Sequence, residues 1–168
     1  MKITIRTELP SDVAGIHALT AAAFLNAPHA AHTEQYIVDA LRAAGVLALS
    51  LVAEIDGRLV GHVALSPVSI SDGTPGWYGL GPISIEPELQ GQGIGSRLMQ
   101  EAMRQLQARG AAGCVLVGDP GFYTRFGFQP QAGLMVPEVP PEYCLVLAFG
   151  APLPQGVVSF HAAFQATA

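Results

Sequence analysis

The residues best placed to do chemistry are Gln90-Gly91-Gln92-Gly93-Ile94-Gly95, where three glycines alternate just ahead of a long amphipathic run. Glycine lets the backbone adopt positive φ and come close to a ligand. A helix that starts there exposes about four unpaired N–H groups and roughly half a positive charge. Together they make a main-chain cradle for an anion, best suited to a phosphate or pyrophosphate. The first turn, Ile94–Met99, contains no Asp or Glu to compete for that field, and Arg97 adds positive charge nearby. The plainer reading is a turn that only links strand to helix. Other phosphate loops fit less well. A Walker loop needs Lys-Ser/Thr after its last glycine, and no lysine follows Gly95. A dinucleotide fingerprint wants Gly or Ala where Ser96 stands, and an acid at a strand end about twenty residues on. Residues 114–117 are apolar there, and Asp119 is only loosely placed.

Proton-transfer groups are scattered. Glu54, His62, Tyr78, Ser84 and Glu86 lie on or beside the apolar runs of the centre, and His32 and Glu34 lie near the second helical stretch. Each reads more readily as a solvated face residue or a satisfied core group than as a base. Ser84 and His62 are kept as candidates to take a proton from a nucleophile, and a chain of waters would serve as well. Phe122, Phe126 and Phe128 read as core aromatics around Tyr123. The five histidines show no ligand spacing, so a zinc site has little support.

The elements that must position these groups follow from periodicity. Lys2–Arg6 alternates and reads as a short strand, with no long apolar stretch of a signal peptide. Pro10, Ser11 and Asp12 supply helix-start chemistry for Val13, Ile16, Leu19, Ala23 and Phe24 at helical spacing. After a loop over Asn26–His32, Thr33 is the expected cap of a second helix that Gly45 stops. Leu47–Ile55 and Arg58–Val68 flank Asp56-Gly57, a hairpin signal. Trp77–Ile85 reads as a strand in which Pro82 implies a bulge or an edge position. Ser96–Arg109 carries a stripe of Ile94, Leu98, Met99, Ala102, Met103 and Leu106. Cys114–Val117 suits a central strand, Pro120–Phe126 a helical turn with Asp119 as its cap, and Cys144–Phe149 and Val157–Phe160 two late strands. Gln129–Pro141 and Gly150–Gln155 read as connectors. The order predicts a mixed α/β (α+β) sheet with helices on both faces. No linker or repeat divides the 168 residues, so one domain is expected.

Composition narrows the class. Half the residues are hydrophobic and 12% are charged, which excludes a disordered chain. A net charge of −5 argues against a nucleic-acid surface and weakly favours a cationic partner. No run of 18 apolar residues exists to span a membrane. Cys114 and Cys144 lie in separate apolar runs and read as buried thiols, which points to a reducing, cytoplasmic setting. The late strands could complete one sheet or be shared in a homodimer.

Gln90-Gly91-Gln92-Gly93-Ile94-Gly95 is similar to the Gln/Arg-x-x-Gly-x-Gly/Ala signature of the GNAT superfamily of acyl-CoA-dependent N-acetyltransferases. About thirty residues on, Gly118-Asp119-Pro120-Gly121-Phe122-Tyr123-Thr124-Arg125-Phe126-Gly127-Phe128 resembles the family's Phe-Tyr-x-x-x-Gly-Phe block, and the element order of the remaining chain agrees. The resemblance implies a twisted, mostly antiparallel sheet of about seven strands, splayed at a central parallel pair. It implies acetyl-CoA as cosubstrate, with no metal. The pyrophosphate would take N–H bonds from Gln92, Gly93, Gly95 and Ser96, with Ile94 among the contacts and Gln90 and Gly91 shaping the loop. The pantetheine arm would pair with the backbone of Ile83, Ser84 and Ile85, and an N–H near Ile83 would hold the carbonyl oxygen. Tyr123 would face the thioester sulfur as general acid. The acceptor would be a primary amine, on a small molecule or a protein. A non-catalytic acyl-CoA sensor is the competing class. Val117-Gly118-Asp119-Pro120 departs from the family, whose members often carry asparagine there.

Overall fold

The computed structural model describes residues 2–28 and 30–168. Met1 and His29 lie outside the described residues. In chain order the elements begin with β1 (Thr4–Thr7), α1 (Val13–Phe24), α2 (Glu34–Ala43), β2 (Leu49–Ile55) and β3 (Arg58–Pro67). They continue with β4 (Ser69–Ile70), β5 (Trp77–Ile85), α3 (Ile94–Ala108), β6 (Gly113–Val117) and α4 (Pro120–Tyr123). Four further strands follow α4: β7 (Gln129–Pro130), β8 (Leu134–Met135), β9 (Cys144–Ala148) and β10 (Gly156–Ser159). A seven-stranded sheet has the order β1-β2-β3-β5-β6-β9-β7, and β4-β10-β8 form a second sheet. The chain clusters into two units. One takes in the chain up to Ser66, Gly81–Ala102 and Ala162–Ala168; the other is Pro67–Leu80 and Met103–His161.

In the first unit, β2 and β3 form an antiparallel hairpin from Leu49↔Leu65 to Ile55↔Arg58. Asp56 and Gly57 turn it at φ of 51° and 80°, the left-handed pair that matches the twist of the strands. β1 extends the sheet through Thr4↔Glu54 to Thr7↔Leu51. Ile16 of α1 and Val38 of α2 pack on Val52 on one face. On the other face a Cβ at Gly61 would meet Leu98 and Ile94 of α3 at 3.0 and 3.1 Å. The α3 stripe from Ile94 to Leu106 is buried throughout, and each large side chain so buried contributes about 1.5–3 kcal/mol. Asp12 starts the α1 segment by accepting the Leu9 N–H at 2.6 Å, and its other partner is Arg6 at 2.7 Å. Thr33 makes no cap bond. Glu34, the first residue of α2, instead reaches back to the preceding loop and accepts the Ala31 N–H at 3.1 Å.

In the second unit, β5 pairs with β6 in parallel over Trp77↔Gly113 to Gly79↔Val115. β6 pairs antiparallel with β9 over its whole length, and β7 flanks β9 through Gln129↔Val146 and Pro130↔Leu145. Trp77, Val115, Val146, Ile70, Leu134 and Val158 form its core. Several expectations are corrected here. Pro82 does not mark an edge: β5 lies between β3 and β6, and the recorded parallel register has ended at Gly79 before proline removes a donor. Gln129–Pro141 is not a plain connector, because it holds β7 and β8. β10 does not join the main sheet. It pairs antiparallel with β4 and parallel with β8. Ser71 Oγ accepts the Val157 N–H at 2.8 Å and Asp72 accepts the Gln155 N–H at 2.9 Å, so the β4 turn holds the incoming strand. Cys114 and Cys144 are free and buried, and burial pushes both thiols above their ordinary pKa. No helix is long and apolar enough to cross a membrane among the described residues.

Candidate active site

The glycine segment divides differently from its sequence reading. The turn ends at Gly93, α3 begins at Ile94, and Gly95 is already helical. The first helical bond runs from Arg97 N–H to Gly93 C=O at 3.1 Å, so the amides of Ile94, Gly95 and Ser96 precede any intrahelical partner. Gly91 and Gly93 stand at φ of 80° and 89°, and a Cβ on either would meet nothing within 4 Å. Both positions therefore need glycine for conformation, and the loop is open in front of them. Gln90 reaches back to donate its amide hydrogen to the Ile85 carbonyl at 3.3 Å, which ties the loop to the end of β5. Glu86 at the same corner donates its N–H to Val60 at 2.9 Å and pairs with Arg58 at 3.2 Å. Arg97 does not simply point at the loop: it donates to the Ile3 carbonyl at 3.2 Å.

Ile83, Ser84 and Ile85 form the last residues of β5, in the same unit as the loop. Ser84 is buried and its Oγ has no hydrogen-bond partner. His62 on β3 is fully buried, with Nε2 2.8 Å from Ser50 Oγ. Ser50 also hydrogen-bonds Glu8, which Arg42 clamps at 2.9 and 2.8 Å. Burial pushes the Glu8 carboxyl up, but hydrogen bonds from Arg42 and Ser50 and the Arg42 charge outweigh it, and the net shift is downward. Burial holds the His62 imidazole down at about 4; the Glu8 charge opposes this and Arg42 reinforces it. His62 is thus neutral at physiological pH.

The other polar candidates have ordinary partners or stand apart. Glu54 pairs with Arg6 at 3.3 Å. His32 is exposed. Tyr78 belongs to the second unit, in the paired half of β5. Glu34 holds the Ala31 amide. Sequence reasoning missed Glu8 and Ser50, whose link to His62 spans three segments of chain and leaves no local pattern.

In the second unit, Asp119 caps α4 by accepting the Gly121 N–H at 2.9 Å, as its position before Pro120 suggests. Tyr123 ends that helix, half-buried, edge-on to Phe122 at 4.9 Å and to Phe128 at 6.4 Å between ring centres. Phe128 is fully buried, while Phe122 and Phe126 are half-buried and Arg125 stacks over Phe122 at 5.0 Å. Burial pushes the Tyr123 phenol up to about 12, and the Asp119 charge adds to this. The phenol stays protonated. Gly118 is a further residue that sequence reading left without a role. A Cβ there would lie 2.5 Å from Tyr123 Cε2, so glycine lets the ring lie on the end of β6. Among the described residues no cluster of His, Cys, Asp or Glu could hold a metal.

These parts match known proteins. Residues 47–130 match the family model described as an acetyltransferase (GNAT) domain. The chain is 38% identical over 129 residues to an Escherichia coli K12 protein described as the uncharacterized N-acetyltransferase YhbS, covering 76% of this chain and 74% of that protein. A crystal structure of a GNAT family acetyltransferase from Brucella melitensis in complex with acetyl-CoA is 50% identical, with a TM-score of 0.86 over 97% of this chain and 98% of that one. The crystal structure of Escherichia coli YhbS in complex with CoA is 32% identical, with a TM-score of 0.87 over 100% and 94%. The fold expected from the glycine loop and the Phe-Tyr block is the one these relatives share, and the chain belongs to the GNAT family of acetyltransferases.

Proposed function

We propose that the protein transfers an acetyl group from acetyl-CoA to a primary amine by direct attack in a ternary complex. The observation that carries this is the main-chain cradle: two glycines in left-handed conformation, open in front, lead into the unpaired amides at the start of a 15-residue helix. Such a cradle suits a diphosphate. The relatives solved with acetyl-CoA and with CoA support that ligand, and they match nearly the whole chain, which supports reading residues 1–168 as one N-acetyltransferase domain. Gln92, Gly93, Ile94, Gly95 and Ser96 would hold the pyrophosphate, with Gln90 and Gly91 setting the turn. The backbone of Ile83, Ser84 and Ile85 would hold the pantetheine as an added strand.

Acetyl-CoA, when bound, supplies the thioester carbonyl that the amine attacks. An N–H near Ile83 would stabilise the developing oxyanion. Ser84 is a buried hydroxyl without a partner and would accept a proton from the amine. Tyr123 is a donor to the departing thiolate. A phenol held at about 12 is a poorer acid than a thiol with its usual pKa of about 8.5, so Tyr123 acts by hydrogen-bond donation while keeping its proton. The buried thiols support a reducing compartment, and we place the enzyme in the cytoplasm.

Calorimetry with acetyl-CoA tests the binding half. A Gly93→Val change puts a β-branched residue at φ of 89° and should weaken affinity by roughly tenfold or more. Unchanged affinity would refute the loop assignment. A thiol-release assay over small amines, polyamines and peptides tests the chemistry; CoA binding with no thiol release from any of them would favour a sensor.

A further inference from the structure

The buried polar chain in the first unit has a defined proton order. Ser50 Oγ touches both Glu8 and His62 Nε2. An ionised carboxylate only accepts, so the single Ser50 proton goes to Glu8. The Ser50 oxygen then accepts from His62, which fixes the Nε2–H tautomer. Nδ1 is left as a bare lone pair, buried and without a hydrogen-bond partner. Arg42 holds Glu8 ionised through two bonds.

A second buried group without a partner lies across from it. The Glu86 N–H bonds to the Val60 carbonyl at 2.9 Å, where β3 and β5 run side by side. Counting back along this antiparallel pair sets Ile85 opposite Gly61, and a Cβ on Gly61 would indeed lie 3.2 Å from Ile85 Cδ1. The next step sets Ser84 opposite His62, on the face away from α3. Residues directly opposed in this way keep their Cβ atoms about 4.5–5.5 Å apart, within reach of a turn of the serine hydroxyl. The hydroxyl of Ser84 and the lone pair of His62 are a buried donor and a buried acceptor on neighbouring strands, and neither has a hydrogen-bond partner.

Resting on the acetyl-transfer reading, we infer that Glu8, Ser50 and His62 form a proton-accepting chain behind Ser84, with His62 Nδ1 taking the proton of the acceptor amine through the Ser84 hydroxyl. The amine nitrogen forms its bond to the acetyl carbon and the carbon–sulfur bond breaks, the electron pair leaving on sulfur. The proton shed by nitrogen passes to Ser84 Oγ as the Ser84 hydrogen passes to Nδ1. The imidazolium so formed keeps its Nε2–H on Ser50, and the Glu8 charge offsets it. Its extra proton passes to water when the product leaves. Glu8, ahead of α1, and Arg42, on α2, are the charged groups acting on the ring among the described residues; Val52 lies opposite it on β2. Burial keeps Nδ1 unprotonated at neutral pH. A weak base suffices, because the nitrogen becomes far more acidic once it bonds to carbon. His62 acts through Ser84 and is a positioning residue.

Histidine-ring ¹⁵N NMR of the protein without ligand tests the tautomer: His62 should be Nε2–H with Nδ1 bare, and Ser50→Ala should release that preference. Thiol release from acetyl-CoA is then followed with spermidine, 2-phenylethylamine and a lysyl peptide. His62→Gln keeps a donor for Ser50 and removes the base. Its kcat should fall about 10²–10⁴-fold, recover as pH rises, and leave acetyl-CoA affinity unchanged. Ser84→Ala should fall as far, and the double variant no further. An Nδ1–H tautomer, a wild-type pH profile in His62→Gln, or additive losses would overturn the chain. If His62→Gln does not fold, the tautomer and kcat of Ser50→Ala decide. A protein that fails to bind acetyl-CoA refutes the acetyl-transfer reading, while the NMR result still decides the proton order on its own.

Discussion

Gly118→Ala should disable the enzyme through one methyl group. The Cβ would sit 2.5 Å from Tyr123 Cε2 and 3.1 Å from Cδ2. Relief to an ordinary contact of 3.4 Å moves the ring edge by about 1 Å. The ring is braced by Phe122 and by the fully buried Phe128, so α4 must shift or the ring must rotate. Overpacking of this kind costs about 1–3 kcal/mol, which in a chain of 168 residues lowers Tm by roughly 2–12 °C. Misplacing the phenol by about 1 Å should lower kcat by up to about 10²-fold. Acetyl-CoA affinity should hold, because the cradle is built from other residues. The assay pairs thermal melting with turnover, in wild-type and Tyr123→Phe backgrounds. With the phenol already gone, Gly118→Ala should still lower Tm but cause little further loss of kcat. Wild-type melting and turnover in the single variant, or equal kcat losses in both backgrounds, would refute the reasoning.

Tyr123→Phe removes a hydrogen bond to a developing charge and should lower kcat about 10- to 10²-fold with acetyl-CoA affinity unchanged, read by thiol release and calorimetry. The His62 pKa is lowered on folding, so the unfolded chain binds the extra proton first. Stability from this group is present above the unfolded value of about 6.5 and is lost as pH falls towards the folded value of about 4. The loss should be about 3 kcal/mol, and melting of His62→Gln against pH should lack that slope. Cys114 and Cys144 are buried with raised thiol pKa values; a thiol reagent should label them slowly in the native protein and fast in denaturant.

What could be read from the sequence was whatever a few adjacent residues decide. Asp56-Gly57 announced its hairpin because both residues tolerate the left-handed region that the turn requires, and φ of 51° and 80° bear this out. The α3 stripe was legible because fifteen residues repeat one period. β4, β7 and β8 were not, since two residues carry no period and each strand exists only through its partner, as Leu134 does through Gly156. The glycine loop was legible as a positive-φ turn leading into a helix start, though the helix begins inside it. Glu8 and Ser50 were invisible as partners of His62: they lie 42 residues apart and meet only when β2 has paired. Gly118 gave no sign of its role, because the need for glycine comes from a ring five positions later folding back over it.

The cradle and the end of β5 belong to one unit and the Phe-Tyr block to the other. On the proposed reading, the hold on the coenzyme and the donor to the departing thiolate are inherited through separate stretches of chain. Selection or engineering at Gly118–Phe128 would then retune the leaving-group side of the reaction, while a coenzyme hold built from main chain would persist through drift in the side chains around it.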